Sequence, residues 1–167
     1  MKHLYLIGGT MGVGKTTTCQ FLKKQLKNAV FLDGDWCWDA DPFQVTEETK
    51  SMALDNICHL LNNFLACSAY DNIIFCWVMH EQSIIDNILA RLNPGEYKVH
   101  TISLVCTVDA LTLRLKKDVE SGLRAENIIM QSTLRLPMYQ SLNTVKIDNS
   151  ARPPEEIAQT IRIRYGQ

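Results

Sequence analysis

Gly9-Thr10-Met11-Gly12-Val13-Gly14-Lys15-Thr16 fits the pattern G-x-x-x-x-G-K-[ST], a spacing whose chemistry is the holding of phosphate groups. Glycines at these places let the backbone wrap so tightly that successive N–H groups point inward at an anion. A helix opening at this point adds its partial positive charge. Lys15 supplies a mobile cation able to follow charge onto a phosphoryl group, and Thr16 supplies a hydroxyl suited to Mg²⁺. The run from Gly9 to Thr17 is therefore the expected triphosphate cradle.

A second set of reactive side chains follows in Phe31-Leu32-Asp33-Gly34-Asp35. Two carboxylates beside a phosphate cradle can orient an attacking hydroxyl, take its proton and support a divalent cation; a solvated Asp-Gly turn would use the same residues. Trp36 and Trp38 come next. If the chain stayed extended past Asp35, both indoles would face away from that carboxylate, so a turn at Gly34 is expected, bringing a tryptophan round to wall an acceptor pocket. Packing alone would account for the two indoles equally well. Trp77, in a later apolar run, is expected to stand apart from the site, and Asp39 and Asp41 make the pocket region negative. That charge favours a neutral or cationic acceptor over a phosphorylated or carboxylated one. In Val78-Met79-His80-Glu81, His80 could touch the acceptor or merely be half-buried, and Glu81 could hold Mg²⁺ through water or cap the next helix. Arg114, Lys116, Lys117 and Arg124 concentrate cations farther on, with Gly122 as a hinge before Arg124. On a helix Arg114 and Lys117 share a face, and the competing reading is a solvated helix with an Arg114–Asp118 pair.

To hold these groups together the chain must bring the ends of several apolar runs to one edge. Five such runs read as strands: Leu4 to Ile7, Ala29 to Leu32, Ile73 to Val78, Val99 to Val105 and Val145 to Ile147. Helical periodicity fills the gaps, from Thr16 to Leu26, Thr46 to Ala69 and Ser83 to Leu92. A helix with Leu111, Leu115 and Val119 follows, with Asp109 as its expected cap and Gly122 as its end. Another runs to about Leu142 with a break at Pro137, and a last one opens at Pro153-Pro154. Strands alternating with helices predict an α/β fold with a parallel sheet.

Composition narrows the rest. With 167 residues, 17 Lys+Arg against 18 Asp+Glu and 46% apolar residues, the chain reads as one globular domain spanning 1–167, with no electrostatic pull toward nucleic acid or acidic membrane. No apolar run reaches the ~20 residues of a membrane span, and a cytoplasmic location is expected. The six cysteines lack Cys-x-x-Cys spacing and the four histidines are dispersed, so buried free thiols and no structural metal are expected.

The loop and its flanks resemble the P-loop phosphotransferases of the nucleoside-monophosphate-kinase type, a group that includes adenylate, shikimate, gluconate and adenylyl-sulfate kinases and the chloramphenicol phosphotransferases. Asp33-Gly34-Asp35 is similar to the acidic pair of shikimate and adenylyl-sulfate kinases; Gln131 to Pro137 is similar to a stretch of gluconate kinases, with Arg135 where those carry glutamate. The resemblance implies a three-layer fold with a five-stranded parallel sheet in the order 2-3-1-4-5 and a short helical lid over about 114–137. It implies ATP and Mg²⁺ as cofactors, Asp35 as base or acceptor ligand, and Asp33 as partner to the Mg²⁺ shell. It also places Arg114 near the adenine or triphosphate, Arg124 over the transferring group, and Arg152, in Ile147-Asp148-Asn149-Ser150-Ala151-Arg152-Pro153, beside the base. The expected activity is phosphoryl transfer from ATP to a hydroxyl of a small molecule by a monomer or homodimer. A nucleoside or nucleotide acceptor, or an ATP-binding regulator with no acceptor, are the rival readings. A GTPase switch is disfavoured, since no Asn-Lys-x-Asp occurs.

Overall fold

In the computed structural model, which describes residues 1–166, five strands make one wholly parallel sheet. They are β1 (Lys2–Gly8), β2 (Ala29–Asp33), β3 (Asn72–Trp77), β4 (Tyr97–Val105) and β5 (Val145–Asp148), in the spatial order β2-β3-β1-β4-β5. Strands buried on both faces need no alternation of polar and apolar residues, and Leu4 to Ile7 and Ile73 to Cys76 are almost wholly buried. Two strands open earlier than their apolar runs indicate, β1 at Lys2 and β4 at Tyr97. Their backbones go on pairing there, Lys2 with Tyr97 and His3 with Lys98.

Among the described residues six helices cover the two faces: α1 (Lys15–Gln25), α2 (Glu47–Ala66), α3 (Gln82–Ala90), α4 (Val108–Glu120), α5 (Asn127–Arg135) and α6 (Pro154–Tyr165). One core cluster joins Leu22 of α1, Leu111 and Leu115 of α4 and Ile157 of α6 to one side of the sheet. The other joins Ile57 and Leu61 of α2 and Ile85 and Ile88 of α3 to the opposite side. Local chemistry sets the helix starts. Thr46 caps α2 in a reciprocal box with Thr49, and Pro154 takes the first position of α6, where its missing N–H costs nothing. Asp109 does not cap α4. Thr107 does, its hydroxyl accepting the Ala110 N–H at 3.2 Å, and Asp109 lies in the first turn, where the helix dipole favours an acid. α4 is core rather than lid, because Leu111 and Leu115 are fully buried; the exposed stretch runs from Glu120 to Asn127. After α5 the chain tightens into a 3-10 turn, Leu136–Ser141, with Pro137 near its start. No described helix is long and apolar enough to cross a membrane.

Candidate active site

The loop between β1 and α1 has the geometry an anion needs. Gly14 stands at the N-cap of α1 with φ +101°, and no side chain caps the helix, so its first N–H groups are free to meet a ligand. Gly12 has φ +81°, and a Cβ there would overlap the Leu115 side chain. Lys15 folds back over the loop, its Nζ donating to the carbonyls of Gly9 at 2.8 Å and Thr10 at 3.1 Å. Burial lowers its pKa, and the carboxylates of Asp35 and Asp33 oppose the shift. Thr10 is buried, and its hydroxyl lies 2.8 Å from both the carbonyl and the hydroxyl of Ser132; the Ser132 hydroxyl donates to the Met11 carbonyl. Helix α5 is thus fastened to the loop.

The acidic pair stands at the end of β2, two strands from β1 across the sheet edge. Asp33 is 4% exposed, and its Oδ2 accepts the Thr16 hydroxyl at 2.5 Å, while its Oδ1 accepts the Asp35 N–H at 3.1 Å. This last bond starts the 3-10 turn Gly34–Cys37, the turn expected at Gly34. Asp35 is thereby swung off the strand. Burial raises its pKa and the neighbouring Asp33 charge raises it further; the Lys15 charge, the nearby Trp77 indole and the Arg124 charge pull the other way. Trp77 is consequently part of the site rather than apart from it. It also meets Gly34 face to side, since a Cβ on Gly34 would lie 2.6 Å from the indole ring.

The cations divide their roles. Arg114 does not pair with Asp118. Its guanidinium donates to the carbonyl of Asn149 at 2.6 Å, the Asn149 side chain at 3.1 Å and the Val13 carbonyl at 3.3 Å, bracing the loop against the segment after β5. Asn149, itself buried, donates to the same Val13 carbonyl at 2.7 Å. Asp118 instead accepts from Arg124 Nε at 3.1 Å, at the border of the exposed stretch, and the Arg124 charge is felt at both Lys15 and Asp35. Arg152 lies along α6, bonded to Thr160 at 2.5 Å and to the Glu156 carbonyl, so its guanidinium is engaged on that helix. Lys116 and Lys117 are exposed.

Trp36 is exposed, its ring 5.1 Å from Phe31, and Trp38 is half-buried, 4.6 Å from Phe43. Trp38 lines a cavity of about 290 Å³ between the 3-10 turn and the start of α2. His80 is half-buried, with Nε2 3.6 Å from Glu81 and Nδ1 buried without a hydrogen-bond partner; burial, then the Arg135 charge, lower its pKa. Glu81 occupies the N-cap position of α3 but its side chain makes no cap bond. Met79, fully buried at φ +39°, stands where the β3 run ends, a strained conformation for a side chain of that size. The contacts of Trp77, Ser132 and Asn149 escaped the sequence reading: each acts through a residue far away in the chain. Their one sequence signal is a hydrogen-bonding group lying in or beside an apolar run.

A family model described as AAA domain matches residues 6–132. No curated protein matches in sequence. Among solved structures, a gluconokinase from Sinorhizobium meliloti is similar at 17% identity and TM-score 0.65, over 94% of this chain and 87% of that one. The tunicamycin resistance protein of Deinococcus radiodurans is similar at 16% and 0.69, over 98% and 95%, and shikimate kinase from Acinetobacter baumannii at 19% and 0.59, over 98% and 93%. At these identities the likeness is one of fold, and it is the three-layer P-loop fold with strand order 2-3-1-4-5. Since the family match runs from inside β1 to Ser132, the residue that fastens α5 to the phosphate loop, this chain belongs to the AAA domain family.

Proposed function

We propose that the chain is an ATP- and Mg²⁺-dependent kinase that transfers the γ-phosphoryl group to a hydroxyl of a small molecule. The observation that carries this reading is the position of Asp35, held off the strand by Asp33 and within the electrostatic reach of Lys15 and Arg124. A carboxylate with a raised pKa beside a phosphate loop suits a proton acceptor for an attacking hydroxyl. Thr16 and Asp33 offer hard oxygen donors 2.5 Å apart, the donor type Mg²⁺ takes alongside its waters and phosphate oxygens, so the residues present fit that ion. Bound there, Mg²⁺ would neutralise charge between the β- and γ-phosphates.

The chain's own groups then have distinct tasks. The loop N–H groups hold the β-phosphate, and Lys15 leaves its two carbonyl partners to follow the transferring group. Asp35 orients the acceptor hydroxyl and takes its proton as the new O–P bond forms and the bond from the γ-phosphorus to the β-γ bridging oxygen breaks, releasing ADP. Arg124, on the exposed stretch, stabilises charge on the equatorial oxygens. Arg114 and Asn149 keep the loop in shape.

Thermal melting checks nucleotide binding. Mg-ATP at a hundredfold excess over its dissociation constant adds roughly 2.7 kcal/mol to stability, and Lys15→Ala abolishes transfer. An unmoved midpoint at millimolar Mg-ATP overturns the proposal, as does ATP turnover that no hydroxyl compound accelerates in a panel of sugars, sugar acids, nucleosides, nucleotides and hydroxylated antibiotics.

A further inference from the structure

The acceptor's charge class can be read from the wall it would meet, on the premise of the kinase reading above. The cavity of about 290 Å³ is lined by Cys37, Trp38, Asp39, Pro42, Gln44 and Met52 among others, near the lower size limit of small-molecule sites. It adjoins the reacting edge, because Cys37 faces into it and also senses the charges of Asp33 and Asp35. Its walls mix Asp39, Gln44 and Thr49 with apolar groups and one indole. Trp38 supplies its aromatic wall, with Phe43 packed against that indole at 4.6 Å between ring centroids, and Met52 stands exposed on the α2 side.

No lysine, arginine or histidine is among the lining residues. Between Asp33 and Thr49 the chain carries six carboxylates and no basic residue; the nearest, Lys50, is exposed and paired with Glu47 at 2.9 Å. An acceptor bearing phosphate or carboxylate would meet Asp39 with no counter-charge. A cation meets that carboxylate and the Trp38 ring together, and aromatic faces attract cations. Among the described residues the protein's own cations cover Phe21 and Tyr165, not Trp38 or Phe43. We propose that the acceptor is an apolar or aromatic hydroxy compound carrying a positive charge, such as an aryl amino alcohol, seated between the 3-10 turn and the start of α2 with its amine toward Asp39 and its hydroxyl toward Asp35.

Three probes that share one aryl carbinol test this: 2-amino-1-phenylethanol, its neutral N-acetyl derivative and mandelate. Each is titrated calorimetrically at millimolar concentration into the full chain loaded with Mg²⁺ and a non-hydrolysable ATP analogue, and each is assayed for phosphorylation with ATP. The expected result is binding of the amine at least tenfold tighter than mandelate, about 1.4 kcal/mol, with the neutral probe between them. Asp39→Asn should bring the amine within about threefold of the neutral probe, and Trp38→Leu should weaken both. Equal or tighter binding of mandelate overturns the inference, and so does the absence of binding by all three. Phosphorylation of an acid in preference to the amine also overturns it while leaving the kinase reading intact. Selective binding of the amine with no transfer to any hydroxyl would instead overturn the kinase reading and keep the charge preference.

Discussion

Asp35 has a folded-state pKa raised chiefly by burial and then by Asp33, and the sign of that shift has two consequences. A carboxyl whose pKa is higher folded than unfolded opposes folding whenever it is ionised, and the penalty fades as pH falls through its folded value. Asp35→Asn should therefore melt higher than the parent at pH 7.5, with the gap narrowing on acidification, while kcat on a true acceptor drops by about 10² or more. Calorimetric melts across pH and steady-state rates check the pair; an Asn variant that melts lower at neutral pH would mean that the Lys15 and Trp77 contacts outweigh burial. Asp33 and Asp35 could be read as a pair from their spacing after an apolar run. The indole that packs beside this turn could not, since Trp77 lies inside another such run and the parallel register of β2 and β3, which pairs Asp33 with Cys76 beside it, is what brings the ring against Gly34.

Among the elements, α5 is the one whose role was least legible. Its stretch resembles a gluconate-kinase segment around Gln131 and Pro137, yet the working residue is the small Ser132 between them, bonded to Thr10 and Met11 in the phosphate loop. A serine on a mid-polar helix carries no periodic signal, and its partners precede it by more than a hundred residues. Ser132→Ala leaves the buried Thr10 hydroxyl with one partner fewer and removes the donor to Met11, so a loss of about 1–3 kcal/mol is expected. ATP affinity should fall with it, because the loop loses its brace. Denaturant unfolding and nucleotide titration measure the two effects; a variant destabilised but unchanged in ATP affinity would make the contact one of stability alone. The strands and α1 were legible for the opposite reason. A continuous apolar run or a glycine-rich turn states its own conformation locally, whereas the cap of α4 at Thr107 rather than Asp109 depended on where β4 ends.

Over the whole molecule the two ends of the parallel sheet carry different chemistry. The site occupies the C-terminal edge, and the opposite end holds a stack of rings from three elements: His3 and Tyr5 of β1, His100 of β4 and Tyr165 of α6. His3 Nδ1 and His100 Nε2 share a hydrogen bond at 3.0 Å, which needs at least one of the two rings neutral at the shared atom. Burial, then the charges of His3 and Lys98, push His100 down from 6.5 to about 4, and burial with Lys98 and the N-terminal amine lowers His3. The other groups against the stack are Tyr5, raised by burial to about 12 and bonded to Asn72, and Tyr165, whose ring carries the Arg164 guanidinium 5.4 Å from its centroid. For a histidine depressed by folding, stability is complete above the unfolded value near 6.5 and drains away as pH falls toward about 4, because the unfolded chain binds the proton first. The upper bound for His100 is about 3 kcal/mol, reduced because the ring is partly exposed. Carboxylates elsewhere also weaken the fold in acid, so the decisive quantity is a difference: unfolding free energies at pH 7.5, 5.5 and 4.5 for the parent and for His100→Phe, which keeps a ring between Tyr5 and Tyr165 without a titrating nitrogen. The parent should lose more stability over that range than the variant. Since the stack lies at the far end of the strands from Lys15, Mg-ATP should shift the melts of both proteins alike at pH 7.5. Equal acid slopes for the two would move the acid sensitivity away from this stack.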